Sequence, residues 1–334
     1  MQKHLRNLGG MLSLLVILCF SIGRSDCSVT QNVVTAKKYG SSLNFLAVGD
    51  WGRKGLFNQS QVAAQMGIVG EKLQIDFVIS TGDNFYDKGL NGTDDPSFEH
   101  SFSQVYTAKS LQKQWYAVLG NHDYMGNALA QFSSSLTRRD RRWYCQRSFR
   151  LHYKIHSHSE ECALVDFFFF DTSPYINKYW EPSNITNDWR GVLPRARFLQ
   201  RQLKDLRKAL ANSNAVWKIV VGHHPIRSIG DDGDTVELVQ KLWPILEEFQ
   251  VDLYVNGHDH NLARITSLTS SLQFLTSGGG SKAWKGMNET PNMKGSQFFY
   301  PGQGFMSTQV TKKFLSVDFY DVEGKILHSF NLTK

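Results

Sequence analysis

The chain has 334 residues, of which 41% are hydrophobic and 20% charged, and its formal net charge is +7. It contains no internal repeat, low-complexity tract or obvious linker. The positive charge is spread along the chain apart from one short run, Arg138–Arg142, so the sequence excludes a concentrated nucleic-acid-binding patch. We interpret that run as a solvated loop.

The first 25 residues are predicted to be a secretory signal. Lys3 and Arg6 precede an apolar segment, Met11–Ile22, of only twelve residues, whereas about 20 are needed to cross a bilayer. The alternative is a buried helix. Removal of residues 1–25 lowers the net charge from +7 to +4. No later run is long enough to span a membrane, so we expect a secretory-pathway protein of the cell wall, the medium or the vacuole.

Cysteines and glycosylation sequons fit that route. Cys145 and Cys162 flank the strand-like run SFRLHYKI and precede a second one, ALVDFFFF, and the polar segment HSHSEE joins the two runs. If these runs form a hairpin that brings the cysteines together, they form a disulfide. Asn-x-Ser/Thr sequons, which predict a glycoprotein, occur at Asn58, Asn91, Asn184, Asn288 and Asn331.

Helical and strand-like segments alternate along the middle of the chain. A first helix, capped by Ser60, leads to the strand before Gly82, and a second opens at Pro194 and leads to WKIVV. A third, capped by Asp234 or Thr235, continues through Pro244 to Phe249 and leads to VDLYV. Because each helix can cover a strand that follows it, the pattern predicts an α/β architecture.

The C-terminal part has a different pattern. QFLTSGGG, GFMSTQVT, KFLSVDFYD and KILHSFNL look like successive strands, which suggests antiparallel additions at a sheet edge. The segment from Tyr175 to Val192 is predicted to be a long loop. We predict one catalytic domain over residues 43–334, and its size favours two packed sheets over one.

Polar residues with ligand atoms follow five of the strand-like runs. They are Asp50 in GDWG, Asp83 and Tyr86 in GDNFY, Asn121 and His122 in GNHD, His223 in GHHP, and His258 and His260 in GHDH. Carboxylate, phenol, amide and imidazole groups in turns at strand ends can converge on one edge of a sheet. The set predicts a metal site.

This ordered set of motifs resembles the metallophosphoesterase superfamily, and specifically the small plant type of purple acid phosphatase. The similarity extends through VLPR, LTSGGGSKAW and GQGFMS, and covers nearly everything from Leu43 to the end. It implies an α/β fold with a two-sheet β sandwich flanked by helices on both outer faces. The metals are expected at the C-terminal ends of the strands.

The resemblance also implies a binuclear centre. Asp83 bridges the two ions, Asp50, Tyr86 and His260 complete one site, and Asn121, His223 and His258 complete the other. The first set suits a hard trivalent ion, Fe(III), and the second a divalent ion such as Zn, Mn or Fe(II). Such a centre hydrolyses phosphate monoesters by attack of a metal-activated hydroxide in acid, so the expected partners are small phosphate esters. A monomer is favoured.

Four positions near the ligands receive supporting roles. By resemblance His122 stabilises the transferring phosphoryl oxygens, while Asp123 orients a neighbouring imidazole and His224 lies outside the metal shell. Many relatives carry histidines where this chain has Asp231 and Asp232. Since a carboxylate repels phosphate unless it is protonated, we predict an unusually acidic pH optimum.

Two other functions remain compatible with these residues. The same centre could serve a phosphodiesterase or a pyrophosphatase. Alternatively, loss of the outer histidines at Asp231 and Asp232 could leave a weakly active metal- and phosphate-binding glycoprotein.

Overall fold

The computed structural model describes residues 32–156, 162–230, 233–284 and 294–334, all of which belong to one compact unit. Its strands are β1 Asn32–Tyr39, β2 Leu43–Val48, β3 Phe77–Ser80, β4 Gln114–Ala117, β5 Trp143–Cys145, β6 Ser148–His156, β7 Cys162–Phe170, β8 Trp217–Val221, β9 Leu253–Asn256, β10 Leu262–Thr266, β11 Gln273–Ser277, β12 Ser296–Tyr300, β13 Gly304–Val310, β14 Phe314–Asp321 and β15 Ile326–Thr333. Its α-helices are α1 Gln59–Leu73, α2 Asn121–Tyr124, α3 Ser134–Arg139, α4 Arg195–Ala211, α5 Val236–Lys241 and α6 Trp243–Glu248.

Two mixed sheets form the centre of the fold. The eight-stranded sheet has the order β1-β6-β7-β8-β9-β11-β10-β12, and the seven-stranded sheet has the order β15-β14-β13-β2-β3-β4-β5. Their facing side chains form one apolar core, in which Phe77 stacks on Phe45 at 5.1 Å and meets Phe167 edge-on at 5.4 Å. The prediction of two packed sheets is confirmed.

The central strands of each sheet are also buried on their outer face, because helices and long connections cover it. Alternate residues of β7 show this directly: Phe167 and Phe169 belong to the core between the sheets, while Phe168 and Phe170 pack outward beneath α4, α5 and α6. Helix α1 covers the other sheet. A strand buried on both faces has no polar side, which explains the continuous apolar run of β7. The predicted four-layer α/β arrangement is confirmed.

Two details of the helices differ from the sequence expectations. Helix α1 begins at Gln59, and Ser60 does not cap it, because the Ser60 hydroxyl donates to the Gly55 carbonyl at 3.1 Å. The third predicted helix is two short helices, α5 and α6, that meet at Leu242. Pro244 lacks an amide hydrogen and is tolerated only in a first helical turn, so it starts a new helix instead of continuing the old one.

The C-terminal strands also divide differently. As expected, β13, β14 and β15 pair antiparallel at one end of the seven-stranded sheet. The QFLTSGGG segment contains β11, which instead lies in the eight-stranded sheet beside β9. Within the predicted loop from Tyr175 to Val192, residues Asn177–Trp180 form a short 3-10 helix.

The predicted disulfide is wrong, because both cysteines are free. The hairpin of β6 and β7 does form, but its antiparallel register places Cys162 opposite His156 and Phe170 opposite Ser148. Cys145 lies just before Ser148, at the far end of the hairpin from Cys162. A strand advances about 3.3 Å per residue, so the two sulfurs are far beyond the reach of a disulfide.

Candidate metal centre

The proposed ligands come from both sheets and meet at one edge. Strands β2, β3 and β4 are neighbouring and parallel, and their C-terminal ends lead to Asp50, Asp83 and Asn121. Strands β8 and β9 are neighbouring and parallel in the other sheet, and lead to His223 and His258. Parallel strands bring their carboxyl ends together, so the sequence motifs fall on one edge of the molecule. All seven side chains predicted as ligands lie there.

The hydroxyl of Tyr86 is the meeting point of three other groups. It lies 3.0 Å from Asp50 Oδ1, 3.0 Å from Asp83 Oδ2 and 3.0 Å from His260 Nε2. A phenol has one hydrogen and can satisfy only one of these partners as a donor. The convergence of lone pairs on a buried point fits a cation that all four groups bind.

The pKa values of Asp50 and Tyr86 also indicate a cation at this point. Burial, together with the neighbouring charge of Asp83, holds the pKa of Asp50 well above its usual range, although His223 opposes the shift. Burial and the charges of Asp50 and Asp83 also raise the pKa of the Tyr86 phenol. The anionic forms of these oxygens therefore need a positive charge beside them, which a metal ion supplies.

Asp83 faces two directions. Its Oδ2 contacts the Tyr86 hydroxyl at 3.0 Å, while its Oδ1 accepts the backbone N–H of His122 at 2.8 Å and lies 3.5 Å from His223 Nε2. Burial disfavours ionisation of Asp83, but His223 and the neighbouring histidines together outweigh burial and hold the Asp83 pKa below its usual range. One carboxylate therefore presents an oxygen to each half of the cluster.

A hydrogen bond to the backbone, on the side away from the cluster, fixes the orientation of the His223 ring. Its Nδ1 lies 2.9 Å from the Thr81 carbonyl, which can only accept, so Nδ1 carries the hydrogen. Its Nε2 points to the cluster, 3.2 Å from Asn121 Oδ1. Burial opposes protonation of His223, but the charges of Asp83 and Asp50 raise its pKa to about 9. A hydrogen bond that fixes the tautomer in this way is typical of a metal-binding histidine.

Two further imidazoles complete the cluster. His260 Nε2 lies 3.5 Å from Asp50 Oδ1, and the His260 ring stacks on Trp284 at 4.9 Å. Burial lowers the pKa of His260 to about 4 and also lowers that of His258. The neutral imidazole is the form that binds metals. His258 is held beside Asp50, since its backbone N–H donates to Asp50 Oδ2 at 2.9 Å.

Two groups of residues have ligand atoms close enough to share an ion: Asp50, Asp83 and His223, and His223, His224 and His258. His224 differs from the others because both of its ring nitrogens are hydrogen-bonded to hydroxyls. Its Nδ1 lies 2.9 Å from Thr172 Oγ1 and its Nε2 lies 2.9 Å from the Tyr179 hydroxyl. These contacts support its expected place outside the metal shell.

Three of the proposed ligands have a strained backbone. Asp50, Asp83 and His258 have φ angles of 62°, 49° and 67°, in the left-handed region that residues with a Cβ seldom adopt. Glycine permits the close approach of neighbouring loops, since a Cβ at Gly120 would overlap the Asp83 carboxylate. Strain of this kind persists where the surrounding structure holds it for a function.

Asp123 holds the two central loops together, although its partners differ from those expected. Its carboxylate accepts the backbone N–H groups of Asn84, Phe85 and Gly120 and the side-chain amide of Gln131 at 2.8 to 3.2 Å. The expectation that it orients an imidazole is therefore wrong. Burial raises the pKa of Asp123 to about 6. Sequence reasoning missed Asn84, which lies within the GDNFY motif, and Gln131, whose signal was a polar residue between Ala130 and Phe132.

His122 lies at the open side of the cluster. Its Nδ1 donates to the Asp87 carbonyl at 2.5 Å, which leaves Nε2 on the side of Asp83 Oδ2, 3.9 Å away. With Asn121, it lines a cavity of about 280 Å³. Four further lining residues, Arg53, Asp87, Lys282 and Trp284, were not identified from the sequence. The cavity exposes the cluster to small solutes.

Other predicted features stand as follows. Asp231 and Asp232 lie outside the described residues, as do residues 1–25 and Asn288. The other four sequon residues, Asn58, Asn91, Asn184 and Asn331, are exposed. Among the residues that the structure describes, no helix has the length and apolar character needed to cross a bilayer.

Comparison with known proteins gives the family. Residues 43–262 match the calcineurin-like phosphoesterase family. Purple acid phosphatase 7 of Arabidopsis thaliana is 56% identical over 299 residues, which cover 89% of this chain and 88% of that protein. The chain belongs to the purple acid phosphatases. Tartrate-resistant acid phosphatase type 5 of Homo sapiens is 30% identical, with 88% of this chain and 91% of that protein covered.

Solved structures show the same fold in purple acid phosphatases and beyond. A purple acid phosphatase from yellow lupin seeds has a TM-score of 0.60 at 17% identity, over 88% of this chain and 54% of that one. GAP50, the anchor in the inner membrane complex of Plasmodium, has a TM-score of 0.76 at 25% identity, over 88% of this chain and 89% of that one. Family membership makes this purple acid phosphatase a hydrolase of phosphate esters that acts at a metal centre.

Proposed function

We propose that this protein hydrolyses phosphate monoesters in acid at a centre of one ferric and one divalent ion. The observation that carries the proposal is the convergence of Asp50, Asp83 and His260 on the Tyr86 hydroxyl, each at 3.0 Å. Three anionic oxygens around one point favour a hard trivalent ion.

In this proposal the seven ligands divide into two sides that share Asp83. The tyrosine side consists of Asp50, Tyr86 and His260, and the histidine side consists of Asn121, His223 and His258. The two directions in which Asp83 presents its oxygens support its role as the bridge. The histidine side offers two imidazoles and one amide oxygen, a set that suits Zn, Mn or Fe(II).

When bound, such a pair of ions polarises the phosphoryl oxygens and activates the attacking water. The chain itself positions the ester and handles its protons. His122 is held by the Asp87 carbonyl with Nε2 toward the cavity. A protonated Nε2 there would donate to a phosphoryl oxygen and could deliver a proton to the leaving group. Asp123 keeps the Asp83 and His122 loops in register through its backbone hydrogen bonds.

A binding protein with little turnover is the rival function. It is suggested by the likeness to GAP50, which is described as an anchor. The complete ligand set, the open cavity beside His122 and the 56% identity to an acid phosphatase support hydrolysis instead. The four exposed sequon residues and the apolar N-terminal segment support a secreted or vacuolar glycoprotein.

A pH–rate profile on phenyl phosphate, together with metal analysis of the same sample, tests this function. We expect turnover that is fastest in acid, about one iron and one divalent ion per chain, and a visible absorption band from the phenolate of Tyr86. A metal-loaded protein that hydrolyses neither phenyl phosphate nor a phosphodiester would favour the binding protein. Faster hydrolysis of the diester would indicate a phosphodiesterase.

A further inference from the structure

The wall of the cavity on the tyrosine side carries two cations that the hydrolysis of a simple phosphate monoester does not require. Arg53 and Lys282 both line the cavity. The Arg53 Cζ lies 5.7 Å from the centre of the Phe57 ring, and the Lys282 Nζ lies 5.8 Å from the same ring. Two cations near one aromatic ring raise the electrostatic potential of this wall, and Asp87, which also lines the cavity and pairs with Arg53, offsets part of it.

Arg53 is held rigidly. Its guanidinium lies over the Tyr86 ring, with Cζ 3.5 Å from the ring centre, and its side chain is only 12% exposed. A guanidinium stacked on a ring keeps its N–H groups free in its own plane, where they match the oxygens of a phosphate or carboxylate. The side chain is therefore oriented before any ligand arrives, which lowers the entropic cost of binding.

The present partner of Arg53 is easily displaced. Its Nη1 donates to Asp87 Oδ1 at 3.0 Å, and the Asp87 side chain is 82% exposed. An ion pair with a solvent-exposed carboxylate contributes little. Among the residues that the structure describes, Nη2 of Arg53 has no protein acceptor, so donors remain for a second anionic group.

The cavity has room for such a group. Its volume is about 280 Å³, against about 30 Å³ for one water molecule in the liquid, so a phosphoryl group beside His122 does not fill it. We propose that Arg53 and Lys282 form a subsite for a second anionic group of the substrate, and that bisphosphorylated compounds are preferred over esters with a neutral leaving group. This inference rests on the proposed function, because it assumes that the reacting phosphate binds at the ligand cluster.

A matched pair of substrates tests the subsite: propane-1,3-diol bisphosphate and 3-hydroxypropyl phosphate, which differ only in the second phosphate. The quantity to measure is the ratio of their kcat/KM values. For Arg53→Gln we expect this ratio to fall about tenfold, the loss of one charge-assisted hydrogen bond. For Asp87→Asn we expect the ratio to rise, because the carboxylate that competes for Arg53 is gone.

Lys54→Gln is the control. Lys54 is exposed, adjacent to Arg53 and absent from the cavity lining, so this variant removes the same charge without touching the subsite. Equal changes in the ratio for Lys54→Gln and Arg53→Gln would overturn the proposal in favour of a general electrostatic field. An unchanged ratio in Arg53→Gln, or a lower ratio in Asp87→Asn, would also overturn it.

Equilibrium binding separates this inference from the proposed function. Titration calorimetry of the metal-loaded protein with propane-1,3-diphosphonate and with propylphosphonate needs no turnover. If neither ester is hydrolysed but Arg53→Gln weakens only the diphosphonate, the hydrolytic function fails and the subsite stands. If both esters are hydrolysed and both phosphonates bind equally to wild type and Arg53→Gln, the subsite fails alone. If Arg53→Gln does not fold, Asp87→Asn still tests the subsite, because it leaves Arg53 in place and removes the carboxylate that competes for it.

Discussion

The tyrosine side and the histidine side of the cluster are built from different chemistry. On the tyrosine side three oxygens and one nitrogen converge on a point, and burial raises the pKa of both Asp50 and Tyr86. On the histidine side the atoms are chiefly imidazole nitrogens, and burial lowers the pKa of His258. The first side therefore favours an ion of high positive charge, whereas on the second side burial keeps His258 neutral and His223, whose pKa the charges of Asp83 and Asp50 raise to about 9, would bind an ion only after losing a proton. The different charges of the ligands on the two sides would thus distinguish two metal positions.

The division of the cluster into a tyrosine side and a histidine side depends most on Asp83, which both sides share. We expect Asp83→Asn to lose both ions and measurable hydrolysis, because the substitution removes a carboxylate that presents one oxygen to Tyr86 and the other to His223. Metal content by mass spectrometry and turnover of phenyl phosphate check this. Asp94→Asn, an exposed aspartate far from the motifs, is the control. Retention of a full complement of both ions would rule out the bridge.

A pair of substitutions tests whether the two sides bind separate ions. Tyr86→Phe keeps the ring against Arg53 but removes the oxygen at the meeting point, so we expect loss of the trivalent ion and its colour with the divalent ion partly retained. His223→Ala should have the opposite effect. Both variants should lose most of their activity, since each leaves one ion without its partner.

Metal analysis and the visible spectrum measure this difference. Tyr106→Phe and His100→Ala serve as matched controls, the first buried and the second exposed, and both lie outside the cluster. Loss of both ions in equal proportion from Tyr86→Phe and His223→Ala would show that the two sides are not separate positions.

His122 belongs to neither side, and its expected effect is smaller. We predict that His122→Ala lowers kcat by about 100- to 10,000-fold, the usual contribution of a positioned acid or base, while metal content and colour stay unchanged. Its ring contacts Tyr86 at a centroid distance of 4.6 Å, so the spectrum is a sensitive check that the tyrosine side is intact. A loss of metal would assign His122 a structural role instead.

Much of the cluster could be predicted from the sequence because each ligand lies in a short motif at a strand end. Parallel strands then bring those ends together without further information. Contacts between distant segments could not be predicted in this way. Arg53 follows the GDWG motif, yet its importance depends on the Tyr86 ring, and Asn84 meets Asp123 only through the packing of β3 against β4.

The fold shows the same limit. Amphipathic spacing predicted α1 and α4, because that pattern is local. The position of Cys162 opposite His156, and the membership of β11 in the eight-stranded sheet, depend on strand register and on which neighbour a strand selects. These choices are decided by the whole core, so single motifs carry little information about them.

The smallest expected effects concern the residues that contact the ligand imidazoles of each side. They test whether each side has its own supporting contacts. The His260 ring stacks on Trp284 at 4.9 Å, whereas the His258 ring lies tilted against His224 with centroids 4.4 Å apart, and the Tyr179 hydroxyl lies 2.9 Å from His224 Nε2. We expect Trp284→Leu to weaken the affinity for the ion of the tyrosine side, and Tyr179→Phe that for the ion of the histidine side, each by about tenfold, as is usual when a supporting contact of a ligand is removed. Metal titration of the chelator-treated protein measures both affinities in each variant. If Trp284→Leu weakens both ions equally, the two sides share one supporting structure and the division between them lies in the ligands alone.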